Sequence, residues 1–392
     1  MASFPLSGVT VLAIEQAVAV PFATRQLADL GARVIKIERP IGGDFARAYD
    51  TTVQGLASHF VWLNRSKESL TLDLKRPEAQ AVLARLLERA DVFVQNLAPG
   101  AADRLGLGTG ELRAKYPRLI VAALSGYGST GPYATKKAYD LLVQGEVGLV
   151  SITGTPETPS KVGLSIADIA GGMYTYSGIL TALFQRQRTG HGTALEVSLF
   201  EALGEWMGYA MYYTFGGTPP ARTGASHATI APYGPYRTRD GQVVFGLQNN
   251  REWSAFCTTV LRQPALAADA RFGSNHQRVQ HRAVMNTEID RVLGELTTGE
   301  VVARFDAAGI ASARINTVEQ FIDHPQLAGR DAWRQVDSPV GPVRALVPPV
   351  RMEDVEPVMG AIPALGQHRE SILAELGFDA PTIERWKQEG VI

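Results

Sequence analysis

Two turns in the sequence resemble phosphate-binding loops. The first, Gln16-Ala-Val-Ala-Val-Pro21, follows a predicted strand. It lacks the glycines that let a pyrophosphate approach the backbone, so classical dinucleotide binding is not expected there. The second has glycines at Gly126, Gly128 and Gly131, but Pro132 follows at once and no helix start fits the spacing. We interpret it as a flexible glycine loop that serves either as a turn or as a lid.

Other common catalytic patterns are missing from the sequence. No Walker loop, H-E-x-x-H or G-x-S-x-G motif occurs, and the seven histidines are scattered without metal-ligand spacing. The only cysteine, Cys257, lies among apolar residues of a predicted helix, as is typical of an inert core thiol. Metal chemistry, phosphoryl transfer and serine hydrolysis are therefore disfavoured.

Asp168 could have a catalytic or a purely local role. It follows Ser165 at the spacing of a capping box, and a helix start alone would explain a carboxylate there. The two roles are compatible, because a position in the first helical turn would keep the carboxylate ionised through the helix dipole.

Alternating strand and helix signals position these residues. Strands are predicted at 9–14, 33–38, 70–74, 92–94, 119–123 and 195–197, and helices at 21–30, 77–90, 166–187 and 200–215. Several strands are continuous apolar runs, which suits strands buried on both faces, and Pro77 occupies the first position of its helix. This rhythm predicts an α/β fold with a largely parallel, doubly wound sheet.

The composition changes after residue 215. Residues 216–240 collect Gly, Pro, Thr and Arg, which indicates a linker. An antiparallel pair around Tyr236 and Val243–Phe245 is expected next, followed by helices between Trp253 and Phe305. Together they predict a smaller domain. After His324-Pro325 the chain is expected to be irregular until a last helix over 369–376.

Bulk properties limit the classes of function. The 392 residues are too many for one core, so two domains are expected. The formal charge of -1 provides no basic excess to attract nucleic acid or an anionic membrane. There is no signal peptide pattern and no apolar stretch of about 18 residues. Since a single cysteine also suits a reducing compartment, these features predict a cytoplasmic enzyme.

A set of segments along nearly the whole chain carries a family resemblance. They are Leu30 to Arg39, Gly43-Asp44 with Arg47, Asn64 to Lys75, Gln95 to Gly100, Arg104-Leu-Gly106, Gly126 to Pro132, Asp168, Arg188-Thr-Gly190 and His324-Pro325. In this order the set resembles the family III CoA-transferases, the group of formyl-CoA transferase and crotonobetainyl-CoA:carnitine CoA-transferase. The same fold family includes the α-methylacyl-CoA racemases.

The resemblance implies that Asp168 is the catalytic nucleophile, because the segment Lys161 to Asp168 matches the family position of the catalytic aspartate. Its carboxylate would attack a thioester to give a mixed anhydride and release the CoA thiolate. The thiolate would return to give an aspartyl-CoA thioester, which the acceptor carboxylate attacks in turn.

A racemase of the same fold is the alternative enzyme. Racemases use a histidine and an aspartate as opposed proton-transfer groups, and Tyr139 occupies the matching histidine position here. Tyrosine, with an ordinary pKa of about 10, is a poor base at neutral pH. Tyr139 is therefore expected to be a packed aromatic or a substrate contact, and the racemase becomes the second hypothesis. A non-catalytic CoA-binding protein is the third.

Family positions also imply a set of coenzyme A contacts. These are Ala17 and Val18 for pantetheine and the thiol end, Arg39, Leu72 and Lys75 for adenine and ribose phosphate, and Asn96, Leu97, Arg104 and Lys137. The four cations of the set suit the nucleotide phosphates. A solvated surface charge explains any single one of them as well.

The sequence departs from the formyl-CoA transferase pattern in two places. Val18 replaces a glutamine, and a run of four glycines in the smaller domain is absent, where Gly246 to Trp253 stands. Tyr139 to Gln144 look more like members that act on C4 to C5 dicarboxylates such as mesaconate, citramalate, itaconate or succinate. We therefore expect Arg47 or His227 to hold the second carboxylate, with surface or structural roles as the alternative.

The resemblance further implies an interlocked, ring-like homodimer. Each chain would have a Rossmann-like large domain in residues 1–220 and 331–392 and a small α+β domain in residues 221–330. No metal or prosthetic group is implied, since coenzyme A acts as a co-substrate.

Overall fold

The computed structural model describes residues 4–392. Its strands are β1 (Thr10–Ile14), β2 (Arg33–Glu38), β3 (Lys67–Thr71), β4 (Val92–Gln95), β5 (Ile120–Ser125), β6 (Ala194–Ser198), β7 (Tyr233–Thr238), β8 (Gly241–Gly246), β9 (Ser312–Ala313), β10 (Trp333–Val336) and β11 (Val343–Leu346). Its α-helices are α1 (Ala19–Asp29), α2 (Ser58–Leu63), α3 (Pro77–Leu87), α4 (Ala101–Arg104), α5 (Thr109–Lys115), α6 (Asp140–Glu146), α7 (Leu149–Ile152), α8 (Ile166–Thr189), α9 (Leu199–Trp206), α10 (Gly208–Phe215), α11 (Asn250–Ala255), α12 (Asn275–Gln280), α13 (Arg282–Leu293), α14 (Thr298–Ala308), α15 (Val318–Ile322), α16 (Pro325–Gly329), α17 (Arg369–Glu375) and α18 (Ala380–Gln388).

The chain forms two compact units. The first contains the described residues up to Val147, then Gly163–Met207 and Ala328–Ile392, and the second contains Gly148–Val162 and Gly208–Leu327. The sequence predicted changes of domain at 220/221 and 330/331, whereas the structural units change at 207/208 and 327/328, and residues 148–162 join the second unit.

A six-stranded parallel sheet forms the centre of the first unit, in the order β3-β2-β1-β4-β5-β6. The predicted α/β fold with a Rossmann-like parallel sheet is thus confirmed. The strand order reverses between β1 and β4. In open α/β sheets, the crevice outside the carboxyl ends of such strands is where ligands bind.

Apolar side chains on both faces explain why this sheet is buried. On one face, Leu12, Phe93 and Val121 pack in a single core with residues of α3, α5, α17 and α18. Trp386 of α18 belongs to this core, so the C-terminal segment returns to the first unit. On the other face, α1 and α8 pack against each other and against strands of the sheet.

Several local predictions were wrong. The strand expected at 70–74 is Lys67–Thr71, and the predicted linker at 216–240 contains β7. The helix predicted at 200–215 is divided into α9 and α10. After Pro325 the chain is not irregular, because it forms α16 and the antiparallel pair β10–β11.

The second unit contains the antiparallel sheet β7-β8-β9 and α11 to α14. Its core gathers Phe245, Phe256 and Phe305, with ring centroids 4.7 to 5.0 Å from that of Phe245. The predicted antiparallel pair is confirmed here. Cys257 lies buried in this core, and burial raises the pKa of its thiol to about 12, so the thiol is unreactive at neutral pH. Among the helices described, none has the length and apolar character needed to span a bilayer.

Candidate active site

Asp168 lies in the first turn of α8, but its helix start differs from the predicted capping box. Ser165 is the N-cap residue and makes no side-chain capping hydrogen bond. The cap comes instead from Asp140, the first residue of α6. Its Oδ1 accepts hydrogen bonds from the backbone N–H of Ala167 at 2.8 Å and of Asp168 at 3.3 Å. A side chain 28 positions earlier therefore fixes the backbone that carries Asp168.

Asp168 is a partly exposed residue, and the negative charge of its carboxyl is disfavoured. Burial, and secondly the charge of Asp140, raise the pKa of Asp168 to about 7. Desolvation and a like charge thus oppose the helix dipole, which was expected to favour the ionised form of this carboxyl. Partly exposed carboxyls with a strongly raised pKa are characteristic of functional sites.

Tyr49 lies close enough to both Asp168 and Tyr139 for their charges to affect its pKa. Tyr139 is the N-cap residue of α6 and its side chain is 67% exposed. Tyr49, which sequence analysis missed, has ring contacts with Phe45 and His59 at 5.8 and 5.4 Å between centroids. Burial, followed by the charges of Asp44, Asp168 and Tyr139, raises the pKa of Tyr49 to about 12. Its phenol therefore stays a hydrogen-bond donor at neutral pH.

The β1–α1 turn, Gln16 to Val18, lies where the strand order of the sheet reverses. Ala17 has a φ of 60°, a left-handed conformation that costs a residue with a Cβ about 1–2 kcal/mol. Its N–H donates to Asp44 Oδ1 at 3.0 Å. Asn96, directly after β4, accepts from the N–H of Gln16 and donates to its carbonyl, both at 2.9 Å. The turn is thus held from two sides.

A buried group of charged side chains lies beneath this turn. Lys36 Nζ is 2.8 Å from Asp44 Oδ2 and 3.2 Å from Glu15 Oε1, and Lys67 Nζ is 2.7 Å from the same Glu15 atom. Burial disfavours the charge of Glu15, but the two lysines outweigh this effect and lower the Glu15 pKa. At Lys67 burial prevails and lowers the pKa to about 8.

Arg47 is engaged with a buried carboxylate. Its Nε and one terminal nitrogen each lie 2.8 Å from an oxygen of Glu38, and the guanidinium lies 3.6 Å from the ring centroid of Phe60. It also donates to the carbonyl of Pro363. Because the side of the guanidinium formed by Nε and Nη2 is occupied by Glu38, a substrate carboxylate could bind in this bidentate way only by displacing Glu38. The predicted substrate role of Arg47 stays a prediction without a contact in its favour.

The four predicted phosphate-binding cations are exposed and follow different strands of the sheet. Arg39 follows β2, Lys75 follows β3, Arg104 ends α4 after β4, and Lys137 lies between β5 and α6. Arg39 donates to the carbonyl of Gly43 at 3.2 and 3.1 Å. Within residues 4–392, none of the four forms an ion pair with a carboxylate. Their charges are therefore free for an anionic ligand.

The two apolar residues predicted to contact coenzyme A lie beside the same edge. Leu72, directly after β3, is buried in the core, and Leu97 is partly buried against that core. The Leu97 N–H donates to the side chain of Gln95 at 2.7 Å. Only the outer surface of Leu97 is available to a ligand.

The glycine loop at residues 126–132 is an anchored turn. Gly128 and Gly131 adopt φ of 89° and 83°, which glycine alone adopts without strain. Ser125 accepts a hydrogen bond from the N–H of Gly128 at 2.9 Å, and Ser129 donates to Glu196 from both its backbone and its hydroxyl. Since the loop does not lead into a helix, it is not a dinucleotide-binding loop.

His227 lies in the second unit and has a defined tautomer. Its Nδ1 accepts hydrogen bonds from the N–H of Thr229 at 3.2 Å and of Ile230 at 3.1 Å, so the ring proton is on Nε2. The ring stacks on Tyr233 with centroids 5.3 Å apart. Burial and the charge of Arg282 lower the pKa of His227. It is therefore a neutral hydrogen-bond donor rather than a cation. No group of His, Cys, Asp or Glu able to hold a metal ion occurs in the described part of the chain.

Comparisons with known proteins point to the same family over nearly the whole chain. Residues 6–369 match the family model described as CoA-transferase family III. Succinyl-CoA:glutarate CoA-transferase of Mus musculus is 33% identical over 99% of this chain and 90% of its own length. Succinyl-CoA–D-citramalate CoA-transferase of Chloroflexus aurantiacus is 32% identical, over 95% and 94%. The crystal structure of a CAIB/BAIF family protein from Brucella suis matches with a TM-score of 0.82 at 33% identity, covering 96% of this chain and 100% of that one.

Proposed function

Because the chain belongs to CoA-transferase family III, we propose that it moves coenzyme A from an acyl-CoA donor to a C4 to C5 dicarboxylic acid through covalent intermediates on Asp168. The observation that carries the proposal is the Asp168 carboxyl itself. Asp168 is partly exposed, its backbone is fixed by the Asp140 cap, and its carboxyl has a pKa raised to about 7.

A raised pKa favours this chemistry. A carboxylate with a higher pKa is a more basic and stronger nucleophile, while a substantial fraction remains ionised at neutral pH. The cost is that the protonated fraction of the enzyme is inactive. We infer that the site is built for nucleophilic attack rather than for a permanently ionised, structural carboxylate.

Each step exchanges one bond to an acyl carbon. The Asp168 carboxylate attacks the thioester of the donor, forming a mixed anhydride and releasing the CoA thiolate. The thiolate attacks the aspartyl carbonyl carbon of the anhydride, which gives an aspartyl-CoA thioester and releases the donor acid. The acceptor carboxylate attacks that thioester, forming a second anhydride and again the thiolate. Attack of the thiolate on the acceptor acyl carbon gives the new acyl-CoA and regenerates Asp168.

The carboxyl edge of the sheet suits coenzyme A. The unpaired cations Arg39, Lys75, Arg104 and Lys137 supply positive charge for the phosphates. The thiol end of coenzyme A would reach the point where the strand order reverses. The β1–α1 turn lies there, with Ala17, Val18 and the neighbouring Asn96. Leu97 offers apolar surface there.

The choice of a dicarboxylate is supported by the relatives. The mouse relative is named for succinate and glutarate and the Chloroflexus relative for succinate and D-citramalate. Tyr139 and His227 are proposed substrate contacts. His227 offers a neutral Nε2–H and Tyr139 an exposed hydroxyl, both of which can donate to a carboxylate.

We also infer a homodimer. α10 exposes Tyr209, Tyr212 and Phe215 at 55%, 78% and 79% of their surface, and contiguous aromatic side chains of this size usually mark an interface. Multi-angle light scattering measures the assembly directly, and a monomer at micromolar concentration would contradict this inference.

The activity test combines succinyl-CoA with a panel of mono- and dicarboxylic acids, with products followed by mass spectrometry. Transfer to dicarboxylates is expected, together with an aspartyl hydroxamate on the peptide that contains Asp168 when hydroxylamine is added. Asp168→Asn should abolish both signals. Glu205→Gln, which removes an exposed charge on α9, is the matched control and should retain them.

The same experiment distinguishes the racemase. If the protein exchanges deuterium at the α-carbon of an acyl-CoA in the absence of any acceptor acid, and no acyl transfer is found, the transferase proposal fails.

A further inference from the structure

The β1–α1 turn adopts a backbone conformation that normally belongs to glycine, although its central residue is Ala17. We propose that Asp44, supported by Lys36, is a positioning residue that holds this turn in the shape that receives the thiol end of coenzyme A. The proposal rests on the transferase function described above. It assigns a role to a buried carboxylate that does not itself touch substrate.

The Asp44 carboxylate has three defined partners. Its side chain is buried, with 1% of the residue exposed. Oδ1 accepts from the N–H of Ala17 at 3.0 Å and of Ala46 at 2.9 Å, while Oδ2 is 2.8 Å from Lys36 Nζ. The N–H of Asp44 donates to Glu38 Oε2 at 3.0 Å. The carboxylate cannot rotate away from Ala17 without also leaving Lys36 and Ala46.

The opposite side of the turn is fixed by Asn96. The Asn96 side chain makes two hydrogen bonds to Gln16, and the backbone N–H of Asn96 donates to the carbonyl of Ile14 at 3.3 Å. Gln16 is therefore held from the β4 side and Ala17 from the β2 side. Both attachments lie at the reversal of strand order, so a shift of either one changes the crevice where a ligand is expected.

The residue type at position 17 makes the idea testable. Alanine is strained at this φ, whereas glycine adopts it freely. Loss of Asp44 should let Ala17 relax to an ordinary conformation and distort the turn. Glycine at this position removes the tendency to relax. A defect caused by the loss of Asp44 should therefore be partly suppressed by Ala17→Gly.

The experiment measures the dissociation constant of coenzyme A by titration calorimetry on the full-length protein. Asp44→Ala should weaken binding roughly tenfold, since the energy of one strained residue lies in that range. The double variant Asp44→Ala/Ala17→Gly should recover most of this loss, with Ala17→Gly measured alone to normalise the comparison. Unchanged binding in Asp44→Ala, or a double variant no better than Asp44→Ala, would overturn the proposal.

One control and one alternative variant keep the result unambiguous. Asp29, another buried carboxylate, pairs with Arg25 and Arg65, and Ala17→Gly should not improve any defect of Asp29→Ala. If Asp44→Ala shows no cooperative thermal transition, Asp44→Asn is used with the same criteria. Its neutral oxygen accepts more weakly, and its amide group would face Lys36.

Binding of coenzyme A needs no acceptor acid. If the wild-type protein binds coenzyme A but transfers nothing, the proposed function fails while the positioning role can still be tested.

Discussion

The carboxylate of Asp140 accepts a hydrogen bond from the backbone N–H of Asp168, at 3.3 Å, and its charge opposes ionisation of the Asp168 side chain. One residue therefore both fixes the position of the proposed nucleophile and modifies its pKa. The two effects are separable, because an amide in place of the Asp140 carboxylate keeps an oxygen acceptor but loses the charge.

The first prediction concerns the pH dependence of catalysis. Since only the ionised Asp168 attacks a thioester, kcat/KM should rise with pH and reach half of its plateau near the Asp168 pKa of about 7. Asp140→Asn should move the midpoint of this rise in kcat/KM to lower pH. The midpoint should stay above the ordinary carboxyl pKa, because burial is the larger cause of the shift. The measurement is kcat/KM for succinyl-CoA between pH 5 and 9. Glu146→Gln, also on α6, is the matched control. If kcat/KM rose with the same midpoint pH in the wild type and in Asp140→Asn, the electrostatic role of Asp140 would be contradicted.

The second prediction concerns stability. The pKa of Asp168 is raised from 3.8 to about 7, so between these pH values the native state binds more protons than the unfolded chain. The ionised side chain therefore lowers the free energy of unfolding progressively as pH rises from about 4 to about 7. Asp168→Asn should therefore melt on the order of a few degrees higher than the wild type at pH 8. The gain should vanish below about pH 4, where both states are protonated. Scanning calorimetry tests this, and a constant difference at all pH values would show that charge is not the cause.

The sequence predicted the central sheet well because its strands are apolar runs. β2 was placed at its observed bounds, because its single buried cation Lys36 stands between apolar residues, whereas β3 was displaced because it begins with three successive polar residues from Lys67 to Ser69. An interior lysine is acceptable only with Glu15 beside it, and Glu15 is distant in the sequence. A local pattern cannot reveal that partner. The short amphipathic helix α18 was missed for a similar reason, since its burial depends on a core formed by distant strands.

Prediction of the active site was limited in the same way, because its contacts join residues that are distant in the sequence. Ser165 has the local spacing of a cap, yet the bond is made by Asp140, which only tertiary packing brings to α8. Asp140 directly follows Tyr139, which the family resemblance had already singled out. Asp44 belongs to one of the segments that carry the family resemblance. Its hydrogen bond with the N–H of Ala17 could not be predicted from the local sequence, because it forms only when the loops after β1 and β2 meet in the fold.

The third prediction concerns Arg47. Arg47→Ala leaves Glu38 buried without its paired guanidinium, which should lower the free energy of unfolding by about 3 kcal/mol at pH 7. Burial opposes ionisation of Glu38, but its hydrogen bonds and charges outweigh it and lower the Glu38 pKa to about 2. The loss should therefore shrink as pH falls towards that value, and it should vanish only below it, where Glu38 is protonated in both proteins. Urea unfolding at several pH values measures it. Arg271→Ala, which breaks an exposed pair with Asp269, should cost far less.

Kinetics on the same variant test its substrate role. The occupied guanidinium predicts equal losses of kcat/KM for mono- and dicarboxylate acceptors. A loss confined to dicarboxylates would instead establish Arg47 as the group that holds the second carboxylate.

The fourth prediction concerns the exposed cations. Replacing Arg39, Lys75, Arg104 or Lys137 singly by glutamine should weaken binding of coenzyme A, by roughly tenfold wherever a charge-assisted hydrogen bond to phosphate is lost. Pantetheine has no nucleotide phosphates, so its affinity should not change. Lys115→Gln removes an exposed charge on α5 and is the matched control. Calorimetry at two salt concentrations adds a second criterion, because affinity that depends on these charges falls as salt screens them. If all four variants bind coenzyme A as tightly as the wild type, the phosphates lie elsewhere on the protein.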